Sequence, residues 1–200
     1  MKNKIYLMMM LSVIAGFISC SKDDPIEVEV SNNVVVDATT YTLAKGAYVN
    51  YGNDILYGST PTHFNTEFFT TDGVFKLSTA NELEDITGKI AIYVDLYSAG
   101  IGSLKADTYT FVSDANDASL TAAQLKTKYE NKNVCLYGAI VTGPNATTSL
   151  GNNGIDIDVK SGTVTIEGTK PDFKIIYDLV LENNKTVKGS YSSSFALIIN

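Results

Sequence analysis

The sequence predicts an all-β fold, either an antiparallel β-sandwich or an up-and-down β-barrel, with one short helix. Period-two alternation of apolar and polar residues dominates the chain, turn pairs punctuate it at short intervals, and a single segment has helical spacing. Strands are expected at 27–30, 34–36, 40–43, 47–51, 63–70 and 74–78. The clearest follows at 89–97, where Ile90, Ile92, Val94 and Leu96 share one face and Ala91, Tyr93, Asp95 and Tyr97 the other. After 108–112, Leu125 and Tyr129 stand four apart within 119–129, the spacing of a helix that Ser119 or Thr121 can cap. Strands resume at 134–141, 155–159, 162–167, 173–181, 187–191 and 195–199, with Asp72-Gly73, Ser161-Gly162, Glu167-Gly168 and Asn183-Asn184 as turns. The polar, glycine-rich stretch 143–154 reads as a mobile surface loop.

Ahead of the strands lies a different kind of segment. Lys2 and Lys4 precede an apolar run over residues 5–17, too short to span a bilayer, and Ile18-Ser19 stand before Cys20. This resembles a bacterial lipobox, although Phe17 stands where the strongest examples have Leu. The resemblance implies cleavage before Cys20, lipidation of its thiol and anchorage in the outer membrane. Ser21-Lys22-Asp23-Asp24 then resembles the acidic surface-export tag of Bacteroidetes lipoproteins, which implies a chain facing the medium. The expected organisation is a signal peptide at 1–19, a lipidated tether at 20–32 and one β domain at 33–200.

Charge narrows the partners. Losing residues 1–19 removes Lys2 and Lys4, leaving 13 lysines and no arginine against 22 acidic residues. Nucleic-acid binding needs a basic face to neutralise phosphates, so that class is set aside. With Cys20 lipidated, Cys135 is the sole remaining thiol; it sits in a strand-like run and reads as a small buried hydrophobe rather than a nucleophile.

Candidate sites are few. Tyr48, Tyr51 and Tyr57 lie in a stretch rich in Asn, Asp and Gly, and together would offer rings for sugar stacking and polar groups for hydroxyls. Packing within strands is the competing reading of these tyrosines, and of Tyr93 and Tyr97. Asp156 and Asp158 are oxygen donors suited to a hard cation, but they also fit the outward face of a strand and lack the spacing of a calcium loop. No metal or cofactor is therefore expected. His63 is the only histidine, and no serine elbow, paired zinc histidines or phosphate loop accompanies it. A hydrolase would have to rely on carboxylates such as Asp95 and Asp178.

Several phrases carry a wider resemblance: Gly46-Ala47-Tyr48, the run 104–111 ending in Thr108-Tyr109-Thr110-Phe111, Gly162-Thr163-Val164-Thr165-Ile166, and Thr186-Val187-Lys188-Gly189-Ser190-Tyr191. Together they resemble small β-rich Bacteroidetes surface lipoproteins, some of them lipocalin-like or calycin-like; Asp107 replaces a glycine of the recurrent strand. That resemblance implies a fold and a location, and no catalytic residues. The expectation is a non-catalytic binding module for a glycan or small apolar ligand. A structural protein pairing with another envelope component, for instance through the edge strand 195–199, is the alternative, and a carboxylate-dependent hydrolase the third.

Overall fold

A computed structural model describes residues 32–199, so the strand expected at 27–30, Cys20 and Ser21-Lys22-Asp23-Asp24 lie outside the described residues. The all-β expectation holds. Eleven strands form one curled sheet, a half-barrel around a packed interior, and two more form a separate hairpin.

The chain begins with β1 (Asn33–Val36) and β2 (Thr39–Thr42), then runs through Leu43 and Ala44 into β3 (Lys45–Asp54) and β4 (His63–Thr71). The hairpin β5 (Val74–Leu77) and β6 (Leu83–Thr87) leads to β7 (Ile90–Ala99), and β8 (Thr108–Phe111) precedes the helix α1 (Ala122–Tyr129). Then come β9 (Val134–Thr142), the helical turn α2 (Leu150–Asn153), β10 (Ile155–Thr169), β11 (Asp172–Leu181), β12 (Thr186–Ser194) and β13 (Ala196–Leu197). In space the large sheet runs β13-β3-β4-β7-β9-β8-β10-β11-β12-β1-β2, with β9 also pairing with β10.

Pairing is antiparallel except at β8 with β9 and β13 with β3, which are parallel. Parallel neighbours need a crossover connection, and the segment holding α1 provides one between β8 and β9. Thr121 caps that helix: its hydroxyl accepts from the Gln124 N–H, while the Gln124 side chain accepts from the Thr121 N–H.

Alternation fills the interior. Ile90, Ile92, Val94 and Leu96 of β7 are fully buried, as are Ile175, Leu179 and Leu181 of β11. Phe68 of β4 meets Phe173 of β11 at 5.2 Å between ring centres, Phe195 at 5.7 Å and Tyr48 at 6.1 Å. Phe173 comes from a strand far from β3 and β4 in the sheet order, so its contacts with Phe68 and Tyr48 join the two wings across the interior. The Thr70 and Tyr177 hydroxyls bond across the same space at 3.0 Å. Gly46 makes room for the cluster, because a Cβ there would stand 2.5 Å from Phe195 and 2.7 Å from Tyr191.

A smaller apolar cluster lies on the other side of the sheet. Ala47, Val49 and Ile198 are buried there against Phe69 and the hairpin residues Phe75, Leu77 and Leu83. The β5–β6 hairpin therefore folds onto the outer face. It is tied to α2 as well, since Asp85 Oδ1 accepts from the Gly151 N–H at 3.2 Å and Thr87 bridges Ser149.

Three sequence expectations change. β6 was not anticipated, because Leu83-Glu84-Asp85-Ile86-Thr87 is acidic and short. Ser161-Gly162 is no turn: β10 passes straight through it, with a bulge between Val159 and Ser161 and with Gly162 at φ +123°, where a Cβ would lie 2.2 Å from the Asp178 carbonyl. The loop at 143–154 is anchored by Thr148 and Leu150, both buried.

Candidate functional site

Once the apolar residues of β7 turn inward, Tyr93, Asp95 and Tyr97 must point outward. Register supplies their neighbours: Phe69 faces Tyr93, Glu67 faces Asp95 and Asn65 faces Tyr97 on β4, while Tyr137 of β9 faces Asp95 from the other side. Val49 of β3 faces Glu67, and alternation puts Tyr51 on that same outer face, at a bulge between Asn50 and Gly52. Like charges directly opposite one another destabilise a sheet, so Glu67 beside Asp95 needs compensation.

Hydrogen bonds provide it. The Tyr51 and Tyr93 hydroxyls donate to the two oxygens of Glu67, at 2.9 and 2.7 Å. Asn65 donates to Asp95 Oδ1, and the Tyr97 hydroxyl also bonds this carboxyl. On the next strand Tyr137 donates to Asp158 at 2.8 Å. The rings form a row, with Phe69 to Tyr93 at 5.1 Å and Tyr93 to Tyr137 at 5.4 Å between centres. Tyr51 and Tyr137 remain 46% and 42% exposed.

Burial dominates the electrostatics. It pushes the Asp95 carboxyl up to about 7, with Glu67 and Asp54 adding to the rise and the bonds from Asn65 and Tyr97 opposing it. Burial and then the bond to Glu67 carry Tyr51 up to about 12; burial and then Asp158 do the same for Tyr137. Tyr93 and Tyr97 also lie above the ordinary phenol range, burial again being the first cause. At neutral pH the phenols are thus protonated donors, while Asp95 is poised between its two states. Aromatic faces, hydroxyl and amide donors, and carboxylate acceptors are gathered on one strip.

The strip has boundaries. At one end, Lys132 beyond α1 accepts through its carbonyl from His63 Nε2 at 3.1 Å. The other His63 nitrogen, Nδ1, therefore accepts from the Thr62 hydroxyl at 3.0 Å; burial lowers the imidazole pKa, keeping this tautomer neutral. At the opposite end stand the β5–β6 hairpin and α2.

The three tyrosines singled out from sequence do not converge. Tyr48 is buried on the inner face against Phe68 and Phe173, and Tyr57 lies in the β3–β4 loop with its ring 6.1 Å from that of His63. Only Tyr51 belongs to the outer strip. Asp178 is likewise remote from Asp95, with β9, β8 and β10 between their strands, and it pairs with Lys188 at 3.0 Å on the surface. Cys135 is buried; burial pushes its thiol up to about 12, and its Sγ bonds the Tyr137 carbonyl. Asp158 is engaged by Tyr137, and among the described residues no group of three His, Cys, Asp or Glu side chains is placed to hold a metal ion. The segment 195–199 does form a sheet edge, but Phe195 and Ile198 are buried and Asn81 bonds Leu197 and Ile199.

Glu67, Asn65 and Tyr137 were missed from sequence because only register brings them to Tyr93 and Asp95. No known protein family, curated protein or solved structure matches this chain.

Proposed function

We propose that this chain is a surface-anchored lipoprotein whose β domain binds glycans without catalysis, through the outer strip formed by Tyr51, Glu67, Tyr93, Asp95 and Tyr137. The aromatic row carries the reading: rings of half-exposed tyrosines lie beside carboxylates already accepting hydroxyl hydrogen bonds, the combination that stacks on a sugar ring and bonds its rim. Support for the location comes from the lipobox-like residues before Cys20 and the Ser21-Lys22-Asp23-Asp24 tag.

Binding is favoured over hydrolysis by geometry. Both oxygens of Glu67 accept tyrosine hydroxyls and Asp95 is held by Asn65 and Tyr97, so neither carboxyl is left open to attack or protonate a glycosidic bond. The interior also argues for an external site, because aromatic rings from opposite wings fill it.

A glycan array probed with the mature domain tests the proposal. Binding to a defined glycan that Tyr137→Ala and Tyr51→Ala each weaken by about tenfold or more would support it. No binding across a broad array, or binding indifferent to both substitutions, would remove it. Palmitate labelling that disappears in Cys20→Ala, together with protease access to the domain on intact cells, tests the anchorage separately.

A further inference from the structure

We propose that a pocket beside the strip receives a short, uncharged acyl or alkyl substituent carried by the bound glycan. This inference rests on the glycan reading and narrows it to acylated or alkylated sugars. The pocket, of about 260 Å³, lies between the outer face of the sheet and the β5–β6 hairpin. Its floor is Ala91, Tyr93 and Val141, and its walls are Leu83, Ile86 and Leu150.

The cavity is held open by its surroundings. Phe75, Leu77 and Leu83 pack toward Ala47, Val49 and Ile198, which seats the hairpin over β3 rather than over β7. Asp85 fixes the opposite wall, accepting from the Ile86 and Gly151 N–H groups at 2.8 and 3.2 Å. The site is therefore preformed, so an occupant does not pay to open it.

Its chemistry selects the occupant. The lining is apolar, and its polar groups are engaged: Tyr93 donates to Glu67, Asp85 accepts from backbone, and Glu84 pairs with Lys76 at 3.0 Å. A polar group entering it would give up its hydrogen bonds to water without gaining a partner. Glu84 and Asp85 at the rim, with Glu67 beyond Tyr93, disfavour an anion such as a free fatty acid. Tyr93 joins the two regions, its ring in the pocket floor and its hydroxyl on Glu67 within the strip. A ligand spanning both therefore has an apolar arm attached to a hydroxyl-rich body.

Displacement of the neutral dye N-phenyl-1-naphthylamine from the mature domain tests this. Saturable dye fluorescence is expected, with Ala91→Leu, which fills the floor, weakening it by about tenfold or more. Val141→Phe fills the same space from another strand, and thermal melts of both variants establish that they fold. Octyl β-D-glucopyranoside below its micellar concentration should displace the dye more effectively than 1-octanol, and octanoate least. Absence of saturable dye binding, or indifference to both filling variants when folded, overturns the pocket. Equal displacement by octanol and octyl glucoside overturns the acylated-sugar assignment while leaving an apolar site. Array binding that survives Ala91→Leu and Val141→Phe rejects the pocket but not the glycan strip.

Discussion

The two faces of one set of strands differ sharply. Inside, β4 and β7 present Phe68, Val94, Ile92 and Leu96 to a core closed by rings from β11 and the C-terminal segment; outside, the intervening residues are Glu67, Tyr93, Asp95 and Tyr97. Neighbours in sequence thus serve opposite purposes. The inner face earns stability from apolar burial, while the outer one holds two adjacent carboxyls that repel each other and are kept by hydrogen bonds. A sheet designed only for stability would not place Glu67 opposite Asp95, and the proposed glycan site rests on that exception.

Substitutions on each face should break this contrast unequally. Phe68→Ala empties the centre of the aromatic cluster and should cost about 3–5 kcal/mol, read from urea or thermal unfolding. Gly46→Ala should cost about 1–3 kcal/mol by overpacking, since its Cβ meets the Phe195 and Tyr191 rings; a Gly46→Ala, Phe195→Leu double variant should lose less than the sum of the single losses.

On the outer face, Asp95→Asn should instead stabilise the protein at pH 8, on the order of 2 kcal/mol after allowing for solvent screening. The sign follows from proton linkage. A carboxyl whose pKa rises from the unfolded value of 3.8 to about 7 binds its proton more tightly in the folded state. Its stabilising contribution is complete below about pH 4 and is lost as the pH rises to about 7. Wild-type stability should decline across that interval and the variant's should decline less; identical slopes would show that Asp95 is not perturbed. The smallest expected change in stability is that of Tyr137→Phe, within about 0.5–1 kcal/mol, because it removes one partly exposed hydroxyl bond to Asp158.

Much of the inner face was legible in the sequence. Alternation in 89–97 grouped Ile90, Ile92, Val94 and Leu96 on the face that is buried, and the helix appeared where helical spacing replaced it. The outer strip was only half legible: Tyr93, Asp95 and Tyr97 were visibly co-facial, but their partners on β4 and β9 depend on register, which a single strand does not encode. Tyr48 and Tyr51, three residues apart, fall on opposite faces as alternation requires of an odd spacing; which face turns inward is what alternation alone leaves open. The turn assigned at Ser161-Gly162 failed because glycine also serves to bend a continuous strand where another backbone comes close.

The pairing of β1 with β12, which sets Val34 opposite Gly189, has a kinetic consequence. On a chain made from its N-terminus, β1 cannot gain that neighbour until nearly the whole domain has emerged. Bringing such distant segments together must overcome loop-closure entropy before their contacts repay it, so this wing of the sheet is expected to be assembled late and slowly. A nascent chain would consequently stay incomplete until its final strands arrive.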